Sequence, residues 1–211
     1  MIKSSDTPDD FARALETNAA RFCIKLTNEI ISGLREYYET VFSWNARLHL
    51  VAPCSAEEFA VRHVLESLVA LRFLPKKIAR VADIGSGAGL PIIPCLIARP
   101  GLQATLIESS MKKAVFLREA LRRLGLQDRA RVVNERFEKV AAPEVDFITC
   151  RALERFSEKI SEMVKWSTPA STLLLFGGEA VRETIESLSL PYRAARLPKS
   201  ERRFLFIVQH K

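Results

Sequence analysis

The chain has 211 residues, 48% hydrophobic and 27% charged, with 8 glycines and 10 prolines. That composition suits one or two folded domains and excludes collagen-like, low-complexity and disordered architectures. Thirty-two Lys and Arg against 25 Asp and Glu leave a net charge of +7; a polyanion such as nucleic acid fits this balance, because neutralised phosphates release their condensed counterions.

The first third reads as helix. Phe11, Leu15, Phe22, Leu26, Ile30 and Leu34 recur at spacings of four or seven between Asp10 and Glu39, a helical stripe that breaks near Asn18 or Asn28. Asp9 or Asp10 is placed to cap its start. Ser55, with Glu58 three residues on, predicts a capping-box start to a helix over Ala56–Phe73, which Pro75 ends. Phe42 and Trp44 are expected to pack between these helices and the strands beyond Pro75.

After Pro75 short apolar strands alternate with helices. Strands are expected at Arg80–Ile84, Ala104–Glu108, Arg131–Val133, Val145–Thr149, Thr172–Phe176, Tyr192–Leu197 and Arg203–Val208. Helices are expected after the glycine-rich turn to about Ala98, over Ser110–Leu124, from about Glu154 to Trp166, and near Glu179–Ser187. The Ser110–Leu124 helix should turn Val115, Phe116, Leu117, Ala120, Leu121 and Leu124 inward and stop at Gly125. Alternation implies parallel strands with helices on both faces, whereas the short polar link between the last two strands allows only an antiparallel hairpin. This layout resembles the class I AdoMet-dependent methyltransferases: an α/β, Rossmann-like, mostly parallel seven-stranded sheet with a terminal antiparallel hairpin. Here it carries an N-terminal helical extension, residues 1–74, packed directly on a core of residues 75–211.

No apolar run reaches the roughly 18 residues of a membrane-spanning helix. The start, Met1-Ile2-Lys3-Ser4-Ser5-Asp6, lacks the basic patch and apolar run of a secretory signal, so a cytoplasmic location is expected. Cys23, Cys54, Cys95 and Cys150 form no Cys-x-x-Cys pair, and His49, His63 and His210 have no metal-ligand spacing. No metal site is expected. Cys95 and Cys150 lie in apolar company and read as small buried hydrophobes.

The most informative stretch is Val81-Ala82-Asp83-Ile84-Gly85-Ser86-Gly87-Ala88-Gly89-Leu90. An apolar strand ends in an acid and runs into a Gly-x-Gly-x-Gly turn that opens a helix. Glycines let a ligand lie against bare backbone, at the carboxyl end of a strand, where such sheets bind ligands. A nicotinamide dinucleotide fingerprint needs glycine at position 90, and Leu90 stands there. Glu108 ends the next strand, 19 residues after Gly89, where a carboxylate can accept from both hydroxyls of a ribose. Asp83, Gly85, Ser86, Gly87, Gly89, Leu90, Glu108 and Ser109 are therefore the expected contacts of S-adenosyl-L-methionine and of its product, S-adenosyl-L-homocysteine.

Around this loop the chain resembles one family, the bacterial small-subunit rRNA guanine-N7 methyltransferases known as RsmG or GidB. The resemblance runs from about Trp44 to Ile207 and shows in Trp44-Asn45, Arg62-His63-x-Leu65-Glu66-Ser67-Leu68, Asp83 to Pro91, Glu108-Ser109 with Lys112-Lys113 and Phe116-Leu117, Arg136-x-Glu138, Arg151-Ala152 and Glu201-Arg202. It implies methyl transfer to a guanine N7 in the decoding-region loop of 16S rRNA, by a monomer acting on that RNA or on the small ribosomal subunit. It also extends the cofactor site to Phe137, Glu138 and Arg151. The chain departs from the family in having His49-Leu50-Val51 for the usual Asn-Leu-Thr, Glu66 for Asp, and Gly177-Gly178 for Lys-Gly, which removes one cation from the expected rim.

Guanine N7 presents a lone pair and no proton, so no general base is required, and no nucleophile–base arrangement stands out. Proximity and orientation are what such an enzyme must supply. Arg136 and Arg151 follow strands at their carboxyl ends, and Arg202 sits on the hairpin loop; these three are expected to position the acceptor. Lys112 and Lys113 open a helix, where the dipole disfavours cations, and contact RNA backbone or are simply solvated. Arg118, Arg122 and Arg123 read as a solvated basic face, and His63 as a helix histidine. Two other readings stay open: a methyltransferase for a small molecule or protein, and an RNA-binding module that retains the fold without turnover.

Overall fold

In the computed structural model, which describes residues 6–151 and 156–210, helix α1 (Pro8–Ala19) starts on Thr7. The Thr7 hydroxyl accepts from the Asp10 N–H at 3.2 Å and the Asp10 carboxylate accepts from the Thr7 N–H at 2.9 Å. The cap is thus Thr7, and Asp10 closes the box from three residues inside. Helix α2 (Asn28–Leu48) starts on Thr27, so the break in the stripe falls between Ala19 and Asn28. The next run, α3, is not the plain α-helix the sequence predicts. It is α-helical over Ala56–Glu58, π-helical over Phe59–Leu65, α-helical again over Glu66–Leu68, and tightens to a 3₁₀ turn over Val69–Arg72. The Glu66 N–H donates to the Val61 carbonyl, five residues back. From Phe59 to Ala70 only Arg62 and His63 are not buried, so the helix is covered nearly all round and sits inside the core, with Glu66 and Ser67 as buried polar side chains.

Seven strands follow: β1 (Ala79–Ile84), β2 (Leu102–Ile107), β3 (Ala130–Val133), β4 (Phe147–Arg151), β5 (Thr172–Gly177), β6 (Tyr192–Arg196) and β7 (Phe204–Val208). They form one sheet in the order β3-β2-β1-β4-β5-β7-β6. The first five are parallel; β7 lies antiparallel between β5 and β6. The connecting helices are α4 (Ile92–Ala98), α5 (Met111–Arg123), α6 (Phe156–Trp166) and α7 (Glu179–Ser187). The expected start of α6 at Glu154 lies outside the described residues.

Period-two alternation divides the core. In β5, Leu174 and Phe176 face the N-terminal helices with α4 and α5, while Leu173 and Leu175 face α6 and α7. The N-terminal helices meet on aromatic rings: Phe11 stacks on Tyr38 at 4.5 Å between centroids, and Phe59 touches Phe11, Tyr38 and Phe42. Each fully buried aromatic contributes about 1.5–3 kcal/mol, which fastens the N-terminal helices to one another. Trp44 packs on Phe116 of helix α5, whereas Phe42 meets Tyr38 and Phe59 within the N-terminal helices. Val115 does not turn inward; it is 47% exposed, because buried Ala114, Phe116, Leu117, Ala120 and Leu121 already fill the inner face of α5.

Candidate active site

The strand order reverses direction between β1 and β4, so the carboxyl ends of these two strands flank the crevice where open α/β sheets bind ligands. The glycine turn leaves β1 into this crevice, and Gly85, Gly87 and Gly89 all have positive φ. The Gly85 and Ser86 N–H groups both donate to the Ile107 carbonyl, at 2.9 and 3.2 Å, which ties the turn to the end of β2. Two glycines serve different purposes. A β-carbon on Gly89 would run into the Ile93 side chain, whereas one on Gly87 would meet nothing nearer than the Gly85 carbonyl at 3.7 Å. Gly89 is required by packing, and Gly87 leaves backbone bare toward open space.

That space is a cavity of about 580 Å³ lined by Gly85, Ser86, Gly87, Ala88, Leu90, Glu108, Ser109 and Ser110 on one side. Leu50, Val51, Ala52, His63, Lys113 and Arg151 complete it. Glu108 is buried, and its carboxylate accepts from the Gly87 N–H at 2.9 Å and the Ser110 N–H at 2.7 Å. Asp83 is wholly buried beneath the turn. Its Oδ1 accepts from the Thr149 hydroxyl at 2.6 Å, while its Oδ2 has no partner among the described residues. Burial pushes the Asp83 carboxyl up to about 7, opposed by the Thr149 hydrogen bond.

The helical extension braces the site in two places. The Tyr37 hydroxyl donates to the Ala88 carbonyl at 2.8 Å in the buried interior. Asn45 accepts from the Val51 N–H at 2.9 Å and donates to the Val51 carbonyl at 3.1 Å, holding the loop that brings Leu50, Val51 and Ala52 to the rim. His49 caps α2 with φ +48°, a conformation that Asn and His both adopt more readily than most residues. This gives a backbone reason for either residue at that position.

The widened turn of α3 meets the end of β4. Arg151 donates to the Arg62 carbonyl at 2.5 Å, to the Ser67 hydroxyl at 3.3 Å and to Glu66 at 3.2 Å. Arg203 donates to the other Glu66 oxygen at 3.1 and 2.7 Å. Glu66 is completely buried between the two guanidinium groups. His63 lies at the cavity wall beside them; burial first, and then the charges of Arg151, Arg62 and Arg203, push its imidazole down to about 4. It is therefore neutral near pH 7.

Of the residues the sequence singles out, Gly85, Ser86, Gly87, Leu90, Glu108, Ser109 and Arg151 line the cavity; Gly89 and Asp83 shape the turn behind it. Phe137 is buried edge-on against Trp166, and Glu138 pairs with Lys159 at 2.6 Å. Neither lines the cavity, and neither do the exposed Arg136 and Arg202. The sequence reading missed Arg203, which lies one residue beyond Arg202 and pairs with Glu66. It also missed Tyr37, whose signal was its place at i+3 from Leu34. At Gly177 a side chain would run into Val181, whose Cβ would be 2.8 Å away; Val181 fills the space that the family's lysine would need.

The cavity suits AdoMet on two grounds, bare backbone at Gly87 and a buried carboxylate at the end of β2, while the partnerless Asp83 oxygen lies buried behind the turn. Its volume is in the usual range for ligand sites. The fold agrees, for the O-methyltransferase of Bacillus cereus solved with SAH superposes at TM-score 0.61 with 16% identity, over 96% of this chain and 100% of that one. Fold and site together define a class I AdoMet-dependent methyltransferase. Within that class, residues 30–202 match the family described as rRNA small subunit methyltransferase G, and the chain belongs to it. The enzyme of that name from Xanthomonas campestris pv. campestris (strain B100) is 36% identical over 192 residues, covering 88% of this chain and 89% of that one. Its counterpart from Xanthomonas axonopodis pv. citri is 39% identical over 156 residues, 74% of this chain and 72% of that one.

Proposed function

We propose that this protein transfers a methyl group from AdoMet to N7 of a guanine in the decoding-region loop of 16S rRNA, as a monomer in the cytoplasm. The observation that carries the reading is Arg151: it ends β4 beside the cavity and is held by Glu66, Ser67 and the Arg62 carbonyl, all from the Arg62–Leu68 block that shares in the family resemblance. Asp83, Gly85, Gly87 and Glu108 hold the cofactor, whose bound sulfonium supplies an electrophilic methyl. Arg151 and His63 form the side of the cavity toward the acceptor. A planar guanidinium fixes O6 or phosphate oxygens with paired donors, and a neutral imidazole can accept from a guanine N–H. Neither removes a proton, and N7 requires none; positioning is the catalytic contribution.

The guanine becomes cationic on N7 methylation, so bare cations around it would oppose the product. Glu66 offsets Arg151 and Arg203 at close range, which leaves donors for recognition without a strongly positive wall. The test is transfer of labelled methyl from AdoMet to 16S rRNA, 30S subunits, bulk protein and small phenols in parallel. Label in RNA alone is the expected result, and label in protein or phenols alone overturns the reading.

A further inference from the structure

The positive charge of the molecule is unevenly placed. Helix α5 carries Lys112, Lys113, Arg118, Arg122 and Arg123 against one carboxylate, Glu119, so 13 residues hold four of the seven net charges. Arg122 and Arg123 share Glu119, each at 2.8 Å. Among the described residues no carboxylate lies within ion-pair distance of Lys112 or Arg118. Lys112 and Lys113 also occupy the first turn, where the helix dipole opposes cations, and no local contact among the described residues offsets that.

The same helix exposes large apolar side chains. Met111 is 72% and Val115 47% exposed, two of the three large exposed hydrophobics among the described residues. Met111, Val115, Arg118 and Arg122 are spaced four, three and four apart, which places them on one stripe about 16 Å long. The stripe begins at the cavity, because Ser110 caps the helix and Lys113 lines the wall. A solvent-facing helix surface is normally polar throughout. Apolar side chains near the site, followed farther out by Arg118 and by Arg122, which shares Glu119 with Arg123, fit a single nucleic acid strand, which presents base and sugar faces alongside its phosphates.

We propose that this face of α5 is the track for the rRNA strand flanking the acceptor guanine. Met111 and Val115 lie against sugar and base, Arg118 and Arg122 contact phosphates along the stripe, and Lys112, about a quarter-turn round the helix, contacts a phosphate at its edge. The proposal rests on the rRNA reading above and adds the surface that delivers the strand to the cavity.

The test uses two variants of the full chain, Lys112→Gln/Arg118→Gln/Arg122→Gln and Met111→Ser/Val115→Ser. All five positions are exposed, and titration calorimetry with AdoMet should give Kd values within about twofold of wild type. Methylation of a 16S rRNA transcript is then measured across a salt series. The triple variant should raise KM about tenfold with kcat nearly unchanged, and should flatten the log–log salt dependence by about two, since each single-strand phosphate contact contributes about 0.7. The double variant should raise KM without changing that slope. If wild type methylates the transcript and the triple variant matches it in KM and slope, the track is wrong and the rRNA reading stands. If wild type binds AdoMet but neither binds nor methylates 16S rRNA, both fail. If the triple variant loses activity on 30S subunits alone, the face meets a ribosomal protein and the RNA track is overturned.

Discussion

Arg151 reaches Glu66 across 3.2 Å, from the end of the central strand β4 to a fully buried position just after the widened turn of α3. Arg203 holds the other oxygen of the same carboxylate. Removing one partner of a buried ion pair strands the other, at a cost of about 3–5 kcal/mol. Glu66→Ala should therefore lower the unfolding free energy by about that amount in denaturant melts. Glu66→Asp, the residue usual in the family, should keep most of it. A Glu66→Ala variant as stable as wild type would show that the pair contributes nothing.

The two glycines of the turn should separate under substitution. Gly89→Ala forces a β-carbon onto Ile93 at φ +86° and should destabilise the fold by about 1–3 kcal/mol or more. Gly87→Ala, at φ +53° with room around it, should cost only about 1–2 kcal/mol while weakening AdoMet at least tenfold in calorimetry. Equal AdoMet affinity in Gly87→Ala and wild type would remove that backbone from the cofactor site.

Asp83 links the site to pH. Its folded pKa, near 7, lies above its ordinary 3.8, so its contribution to stability is full below the lower value and is lost as pH rises toward the upper. The loss approaches about 1.4 kcal/mol per pH unit in that window. His63 runs the other way: its pKa falls from 6.5 to about 4, so it contributes above 6.5 and that contribution is lost as pH falls toward 4. The slopes oppose each other where the windows overlap, and the difference between wild type and Asp83→Asn isolates the first. Asp83→Asn should gain on wild type as pH rises from 4 to 7 and bind AdoMet at least tenfold more weakly. Wild type should release a proton on binding AdoMet near pH 6, seen as a buffer-dependent enthalpy. A buffer-independent enthalpy would detach Asp83 from cofactor binding.

The three arginines chosen from sequence should not be equal. Arg151→Ala should lower methylation of 16S rRNA by about a hundredfold or more with AdoMet affinity within a few fold. Arg136→Ala and Arg202→Ala, both exposed and off the cavity wall, should raise the RNA KM without lowering kcat. Steady-state kinetics over a range of RNA concentrations separates these outcomes, and a kcat defect in Arg136→Ala alone would move the acceptor site toward β3.

The sheet was legible because each strand is a short apolar run bounded by turn residues, and the hairpin because its link is too short for a crossover. The glycine turn at the cavity was legible because Asp83, three glycines and Glu108 keep a spacing set by strand and helix lengths. The widened turn of α3 left no mark, since helical periodicity does not distinguish an i→i+5 bond from an i→i+4 bond over a single turn. Arg203 was missed for a related reason: at a strand entrance a one-residue shift decides which side chain faces Glu66, and no alternation exists there to fix the phase. The outward turn of Val115 reflects an inner face already filled by smaller and larger neighbours, a packing fact that composition does not carry.

The central claim is that the acceptor atom is N7 of a guanine in small-subunit rRNA. Its most direct measurement is mass mapping of 16S rRNA after incubation with the purified protein and AdoMet, with nuclease fragments sequenced to the modified nucleotide. The predicted result is one 7-methylguanosine in the decoding-region loop, absent when Arg151→Ala replaces wild type. Methylation at another atom or in another RNA, or an unmodified 16S rRNA from protein shown to bind AdoMet, would contradict the account.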